Sequence, residues 1–286
     1  MAVDGGFVDE AVTAYQAMID LKPCLPTYCR VAHVRWLKGD LEGAIEMMDQ
    51  AISTGSDRER EPLAWAYTRL AGYTLQRGDL DAADRAAQRA LDLIPDYSSA
   101  LLARGRVALA RRDFESAAAV LTAAALRNPL PEYLWAQADA LRAAGRAEEA
   151  AAAEQAMHAR GALEDPRTYS LFLATRGERS TDAGLLARAE LETRRDVFTH
   201  DAVAWASLAA GDIAAARRSA ALAVAEGTED GRLLLHAGLI ARAAGATHEA
   251  DAFLARARAA GATLLPCERS ILDGEPPSLS VQNKIP

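Results

Sequence analysis

Apolar residues recur every three to four positions along almost the whole chain, in paired runs separated by a short turn. The clearest unit runs from Gly78 to Pro95: a turn, then an amphipathic helix with small residues on one face. The turn position recurs at Gly6, Gly39, Gly78, Arg112, Gly145, Gly177, Gly211 and Gly245. The spacings are 33, 39, 34, 33, 32, 34 and 34 residues. A period near 34 with two helical patterns per period predicts a solenoid of helix–turn–helix units.

The pattern predicts one half-repeat over residues 7–21, followed by seven repeats. The spacing of 39 comes from a charged insertion at residues 56–61, and repeat six is irregular because Asp182 stands where a small residue is expected. The chain begins in phase with the second helix of a repeat. We therefore expect either an uncapped half-repeat or the loss of upstream residues that carried a signal or a further domain.

Repeat four carries the pattern most fully, through Leu101, Gly105, Ala117, Leu121, Ala124 and Pro129. It resembles the tetratricopeptide repeat (TPR) family, although Arg104 and Arg112 depart from that family's pattern. The resemblance extends over about residues 6–261. It implies an all-α, right-handed superhelical solenoid of antiparallel helix pairs. We expect the solenoid to occupy residues 1–262, with a capping helix near 264–272 and an extended, proline-containing tail within residues 263–286.

Composition narrows the class of function. A net charge of −8 and a pI near 5.3 argue against nucleic-acid binding, which needs a basic surface. There is no apolar run long enough to span a membrane and no signal peptide at Met1. The three cysteines form no disulfide framework. We therefore expect a cytoplasmic protein, unless an upstream signal has been removed, and the Ala- and Arg-rich composition points to a bacterial source.

No catalytic or metal-binding motif is present, and neither an enzyme nor a cofactor is expected. Cys29 and His33 lie four residues apart on one predicted helix face. They suit either a thiolate–imidazole pair, half of a metal site, or a pair with no chemistry that lines a groove. We favour the last interpretation.

The family resemblance also implies which residues face the concave surface, where TPR proteins hold peptides. Carried over position by position, these are Cys29, His33, Trp36, Trp65, Thr68, Gln76, Arg106, Trp135, Asp139, Arg142, Arg167, Asp201, Trp205, Arg232 and Arg242. All four tryptophans are in this set. Trp and Arg are enriched at binding hot spots, although the rings would also serve by packing between neighbouring helices.

The resulting hypothesis is a non-enzymatic scaffold that binds a protein or peptide with apolar and acidic residues in a Trp/Arg-lined groove. The alternative is an accessory or regulatory module of a larger protein or enzyme complex, itself secreted or membrane-anchored. A further hypothesis is self-association through the exposed half-repeat or the C-terminal tail.

Overall fold

The computed structural model describes residues 5, 8–56 and 58–274, and every regular element among them is a helix. The helices are α1 (Val8–Leu21), α2 (Leu25–Leu37), α3 (Leu41–Ser53), α4 (Arg60–Gln76), α5 (Leu80–Leu93), α6 (Ser98–Ala110), α7 (Phe114–Arg127), α8 (Pro131–Ala143), α9 (Ala147–Glu164), α10 (Pro166–Arg176), α11 (Ser180–Thr193), α12 (Val197–Ala209), α13 (Ile213–Ala223), α14 (Gly231–Ala243), α15 (Thr247–Ala259) and α16 (Pro266–Leu272). A short 3₁₀ helix, Gly261–Thr263, precedes α16. The predicted turn at Gly6 and residues 275–286 of the predicted tail lie outside the described residues.

The repeats expected from the sequence are present. Helix α1 is the half-repeat, and seven helix pairs follow, from α2 and α3 to α14 and α15. Each pair packs against its successor in chain order. Among the helices of the described residues, none is both long and apolar enough to cross a bilayer.

The turns within the pairs explain the periodic glycines. Gly78 has a φ of 87°, a left-handed conformation that a side chain disfavours, and Asp79 after it accepts a hydrogen bond from the Ala82 backbone N–H. Arg112 occupies the same turn position with a φ of 61°, as its spacing predicts, and Asp113 caps the following helix. Each such turn ends one helix and starts the next within three residues.

Small residues bring the helices of a pair close together. A Cβ added at Gly105 would lie 2.4 Å from Cγ of Leu121, which is fully buried on the next helix. The second helices contribute a stripe of alanines with almost no solvent exposure, such as Ala117 and Ala124. The core is therefore a thin layer between helices that runs the length of the solenoid.

The superhelix closes on itself, which the repeat pattern does not predict. The Thr228 hydroxyl, in the loop between α13 and α14, donates to the Leu37 carbonyl at 2.6 Å, across 191 residues of sequence. Gly39 lies so close to this loop that a Cβ there would be 2.5 Å from the carbonyl oxygen of Gly227. Lys38 pairs with Glu226 at 2.6 Å. The beginning and end of the solenoid are thus in direct contact.

The C-terminal segment, residues 261–272, lies inside the superhelix. Its 3₁₀ helix contacts α4, α6 and α14, and α16 contacts α8 and α15. The Cys267 backbone N–H donates to the Asp139 carboxylate at 3.1 Å, and the buried Glu268 accepts a hydrogen bond from Arg232. The segment forms a helix where one is expected. It reaches well beyond the last repeat, because the closed solenoid brings distant first helices within its reach.

Candidate functional site

The first helices of all seven pairs surround a central chamber of about 300 Å³. We define the central chamber by its lining residues: His33, Trp36, Arg69, Arg106, Glu132, Trp135, Arg167, Thr168, Leu171, Phe198, Asp201, Asp230, Arg232, Leu233, Thr263 and Leu265. The concave surface is therefore a partly open chamber surrounded by first helices rather than one continuous groove. A chamber of this volume suits a small molecule better than an extended peptide.

Aromatic rings fix the chamber arginines in place. Arg232 lies over the Trp135 ring at 4.7 Å from its centroid, and Arg69 lies over Trp36 at 5.9 Å. Trp36 also stacks on Phe198, with centroids 5.7 Å apart. Stacking leaves the edges of a guanidinium free to donate hydrogen bonds. Arg232 donates one of these to Glu268, and Arg69 donates one to the Tyr73 hydroxyl.

A second space, which we call the N-terminal groove, lies open between α1, α2 and α4. Its volume is about 520 Å³, and it is lined by Tyr15, Leu25, Pro26, Cys29, Arg30, His33, Pro62, Trp65 and Arg69. Trp65 is 41 % exposed there, whereas the other three tryptophans are 1–8 % exposed. The N-terminal groove is thus mainly apolar, with one accessible indole and two arginines.

The Cys29 thiol does not have the environment of a nucleophile. The side chain is buried, its Sγ approaches Met48 Sδ at 3.8 Å, and burial raises the pKa of the thiol to about 11. At neutral pH the thiol is protonated, which argues against the thiolate–imidazole interpretation. Within the part of the chain that is described, no group of three or more His, Cys, Asp or Glu side chains is placed to hold a metal ion.

Two of the expected concave residues, Asp139 and Arg142, line a third cavity of about 230 Å³ beside α16. Asp139 is buried and pairs with Arg176 at 3.1 Å. Arg142 pairs with Glu154 at 2.8 Å. Burial raises the pKa of Asp139, and the positive charge of Arg176 opposes that shift. The network joins α8, α9, α10 and α16, so its evident effect is to hold the C-terminal segment in place.

The structure therefore separates the fifteen expected residues into groups. His33, Trp36, Arg106, Trp135, Arg167, Asp201 and Arg232 line the central chamber, and Cys29, His33 and Trp65 line the N-terminal groove. Thr68 donates to the carbonyl of its own helix, and Gln76 links Trp36 to the Glu229 carbonyl. Trp205 is buried against His236, and Arg242 is exposed on the surface. A peptide-binding role for these residues remains a prediction.

Sequence reasoning missed several groove residues, among them Tyr15, Arg30 and Arg69. Arg69 stands one helical turn after Trp65, so helical spacing from that tryptophan would have identified it. Tyr15 lies on α1, which corresponds to the second helix of a repeat. The family pattern assigns concave-face positions only to first helices, so it did not indicate that α1 forms a wall of the groove.

One family model and several solved structures are similar to this chain. Residues 25–54, which contain α2 and α3, match the family model for the tetratricopeptide repeat. A solved structure of human IFIT1, described as a dimer with PPP-AAAA, is similar with a TM-score of 0.50 and 16 % identity, covering 88 % of this chain and 64 % of that chain. A tetratricopeptide repeat protein from Parabacteroides merdae has a TM-score of 0.45 and 16 % identity, and the match covers 90 % of this chain and 94 % of that chain. MamA has a TM-score of 0.44 and 21 % identity, and the match covers 54 % of this chain and 88 % of that chain. No curated protein matches.

The class that the fold defines is an all-α solenoid of helix pairs. Its first full pair, residues 25–54, matches the tetratricopeptide repeat model, so the resemblance inferred from the sequence is confirmed for that repeat.

Proposed function

We propose that the protein is a non-enzymatic interaction scaffold whose N-terminal groove binds an apolar, acidic segment of a partner protein. The observation that carries this proposal is Trp65, a large ring that is 41 % exposed in a groove of about 520 Å³. Binding pockets in proteins have volumes of roughly 300–1,000 Å³ and are mostly apolar. An indole in such a place buries a large area when a partner covers it, which makes it a strong candidate for a hot spot.

Charge supports an acidic partner. The Arg30 guanidinium donates to the Pro26 carbonyl of its own helix, and Arg69 donates to the Tyr73 hydroxyl at 3.3 Å. Neither arginine forms an ion pair with a carboxylate among the described residues, although the chain as a whole is acidic. A partner carboxylate beside the apolar anchor would complement both guanidinium groups.

The test is a synthetic library of 12-residue peptides, each with a central Leu, Phe or Trp. Half of the peptides carry flanking Asp or Glu, and half carry flanking Lys or Arg. Affinity is measured by fluorescence anisotropy for the wild type, for Trp65→Ser, and for Leu163→Ser as a matched control. Leu163 is an equally apolar residue, 89 % exposed, on α9 and away from the groove.

We expect the wild type to select acidic peptides, and Trp65→Ser to weaken their binding by about thirtyfold, since a hot-spot residue contributes about 2 kcal/mol. Leu163→Ser should bind as the wild type does. Raising the salt concentration should weaken binding, because the arginines lie near solvent. Equal loss in both variants, or selection of basic peptides, would contradict the proposal.

A further inference from the structure

Two side chains of the central-chamber lining each carry a buried nitrogen that has no hydrogen-bond partner. Nε of Arg106 is buried and has no hydrogen-bond partner, although another nitrogen of the same guanidinium donates to Glu132 at 2.8 Å. Nε1 of Trp135 is likewise unpartnered, and that side chain is 1 % exposed. An unsatisfied buried donor is costly, and in native proteins it usually has an explanation.

The charged side chains of the chamber lining are mostly arginines. Four arginines line the chamber, against the three carboxylates of Glu132, Asp201 and Asp230. Asp201 is engaged by the His236 imidazole at 2.9 Å. Burial raises the pKa of Asp230, which caps α14 by accepting from two backbone N–H groups. Both carboxylates still interact favourably with the charge of Arg232.

Three of the four chamber arginines are ion-paired, and Arg106 has its partner, Glu132, in the chamber lining itself. The four arginines come from α4, α6, α10 and α14, so only the closed superhelix brings them together. Two of them have their carboxylate partners outside the chamber lining: Arg167 pairs with Asp196, and Arg232 pairs with Glu268. Arg69 has no carboxylate partner among the described residues, and its guanidinium lies over the Trp36 ring.

From this arrangement we infer that the central chamber binds a small organic oxyanion, one that carries a carboxylate or phosphate group. Its oxygens would accept hydrogen bonds from Arg106, Trp135 and Arg69, and its body would lie against the rings of Trp36 and Phe198. Arg106 and Glu132, whose side chains are 26 % and 48 % exposed, mark where the chamber meets solvent and where a ligand would enter. Arg69 lines both the central chamber and the N-terminal groove, whereas Arg106 and Trp135 line only the chamber, so variants of these two residues test the inference separately from the peptide site.

Two probes distinguish the two oxyanion classes: inorganic pyrophosphate for phosphate and citrate for carboxylate. Binding to the full chain is measured by isothermal titration calorimetry. The variants are Arg106→Met, which keeps the aliphatic stem, and Trp135→Phe, which keeps a ring and removes the N–H. Their matched controls are Arg104→Met on the same helix and Trp205→Phe, which are outside the chamber lining. Circular dichroism is used to verify that each variant keeps the helical content of the wild type.

We expect at least one probe to bind the wild type, and each chamber variant to weaken that binding by about tenfold, the effect of one charge-assisted hydrogen bond. The two controls should bind as the wild type does. Preference for pyrophosphate or for citrate then identifies the class of anion. Absence of binding by both probes, or equal affinity in chamber variants and controls, would overturn the inference.

Discussion

Gly105 provides a direct test of how the helix pairs pack. In the Gly105→Ala variant, the new Cβ would meet Cγ and Cδ2 of Leu121 at 2.4 and 2.5 Å. Real Cβ atoms do not approach other heavy atoms so closely, so Leu121 or the helix must move. Leu121 is fully buried, so any movement has to be made within the packed core. Gly72 offers the matched control, since it is also helical and a Cβ there would meet nothing within 4 Å.

The expected magnitudes follow from two opposing effects. Alanine in place of glycine within a helix stabilises by about 1 kcal/mol, and both variants gain this amount. Overpacking a filled core costs about 1–3 kcal/mol, and only Gly105→Ala incurs it. Gly72→Ala should therefore stabilise by about 0.5–1 kcal/mol. Gly105→Ala should be about 1–3 kcal/mol less stable than Gly72→Ala.

Urea unfolding followed by circular dichroism at 222 nm measures both variants, with the slope of the transition compared to verify that cooperativity is unchanged. A double variant adds Leu121→Ala, which removes the atoms in conflict. The two substitutions should then cost about 1–3 kcal/mol less together than the sum of their separate costs. Equal stabilisation by Gly105→Ala and Gly72→Ala would refute the packing argument, because it would mean that Leu121 yields freely.

Three further predictions concern single residues. Arg112→Gly should stabilise the fold by about 0.5–1 kcal/mol. The left-handed φ of 61° strains a residue with a side chain, and relief of this strain outweighs the extra conformational entropy that glycine gives the unfolded chain. Urea unfolding measures the effect, and an unchanged or lower midpoint would contradict it. Burial lowers the pKa of His200, so the unfolded state takes up its proton first and stability is lost as the pH falls below about 6.5. His200→Gln should therefore flatten the stability profile between about pH 7 and pH 5.5, and parallel profiles would exclude this role. With Ellman's reagent, Cys24 should react first, since its hydrogen bonds with Thr27 lower its pKa, whereas burial raises the pKa of Cys29 and Cys267. Cys24→Ser should remove the fast phase, and simultaneous reaction of all three thiols would be inconsistent with the burial.

The sequence predicted the repeats because each one carries its own local signals. The turn glycines need a left-handed φ, the aspartates cap the next helix, and the small residues mark close contacts between helices. Arg112 was placed in the turn by spacing alone, and its backbone conformation agrees. These features depend only on neighbours in the chain.

Closure of the superhelix could not be predicted in the same way. It depends on the summed small rotations between eight successive units, and no single position encodes that sum. The contact of Thr228 with Leu37 therefore has no signature in either segment. For the same reason the tryptophans were expected to face one open groove, whereas Trp36 and Trp135 are buried in the chamber wall and Trp65 alone among the four is well exposed.

The central claim is that the solenoid closes, since closure both forms the chamber and leaves the N-terminal groove open. Zero-length carbodiimide cross-linking at low protein concentration, followed by peptide mass spectrometry, tests it at Lys38. The Lys38 ammonium lies 2.7 Å from Asp9, on the adjacent α1, and 2.6 Å from Glu226, which is remote in sequence. The cross-link to Asp9 is an internal control for the reactivity of Lys38. Closure predicts that Lys38 also couples to Glu226 within one chain, and that Glu226→Gln removes this product. Coupling to Asp9 without coupling to Glu226 would contradict the closed superhelix.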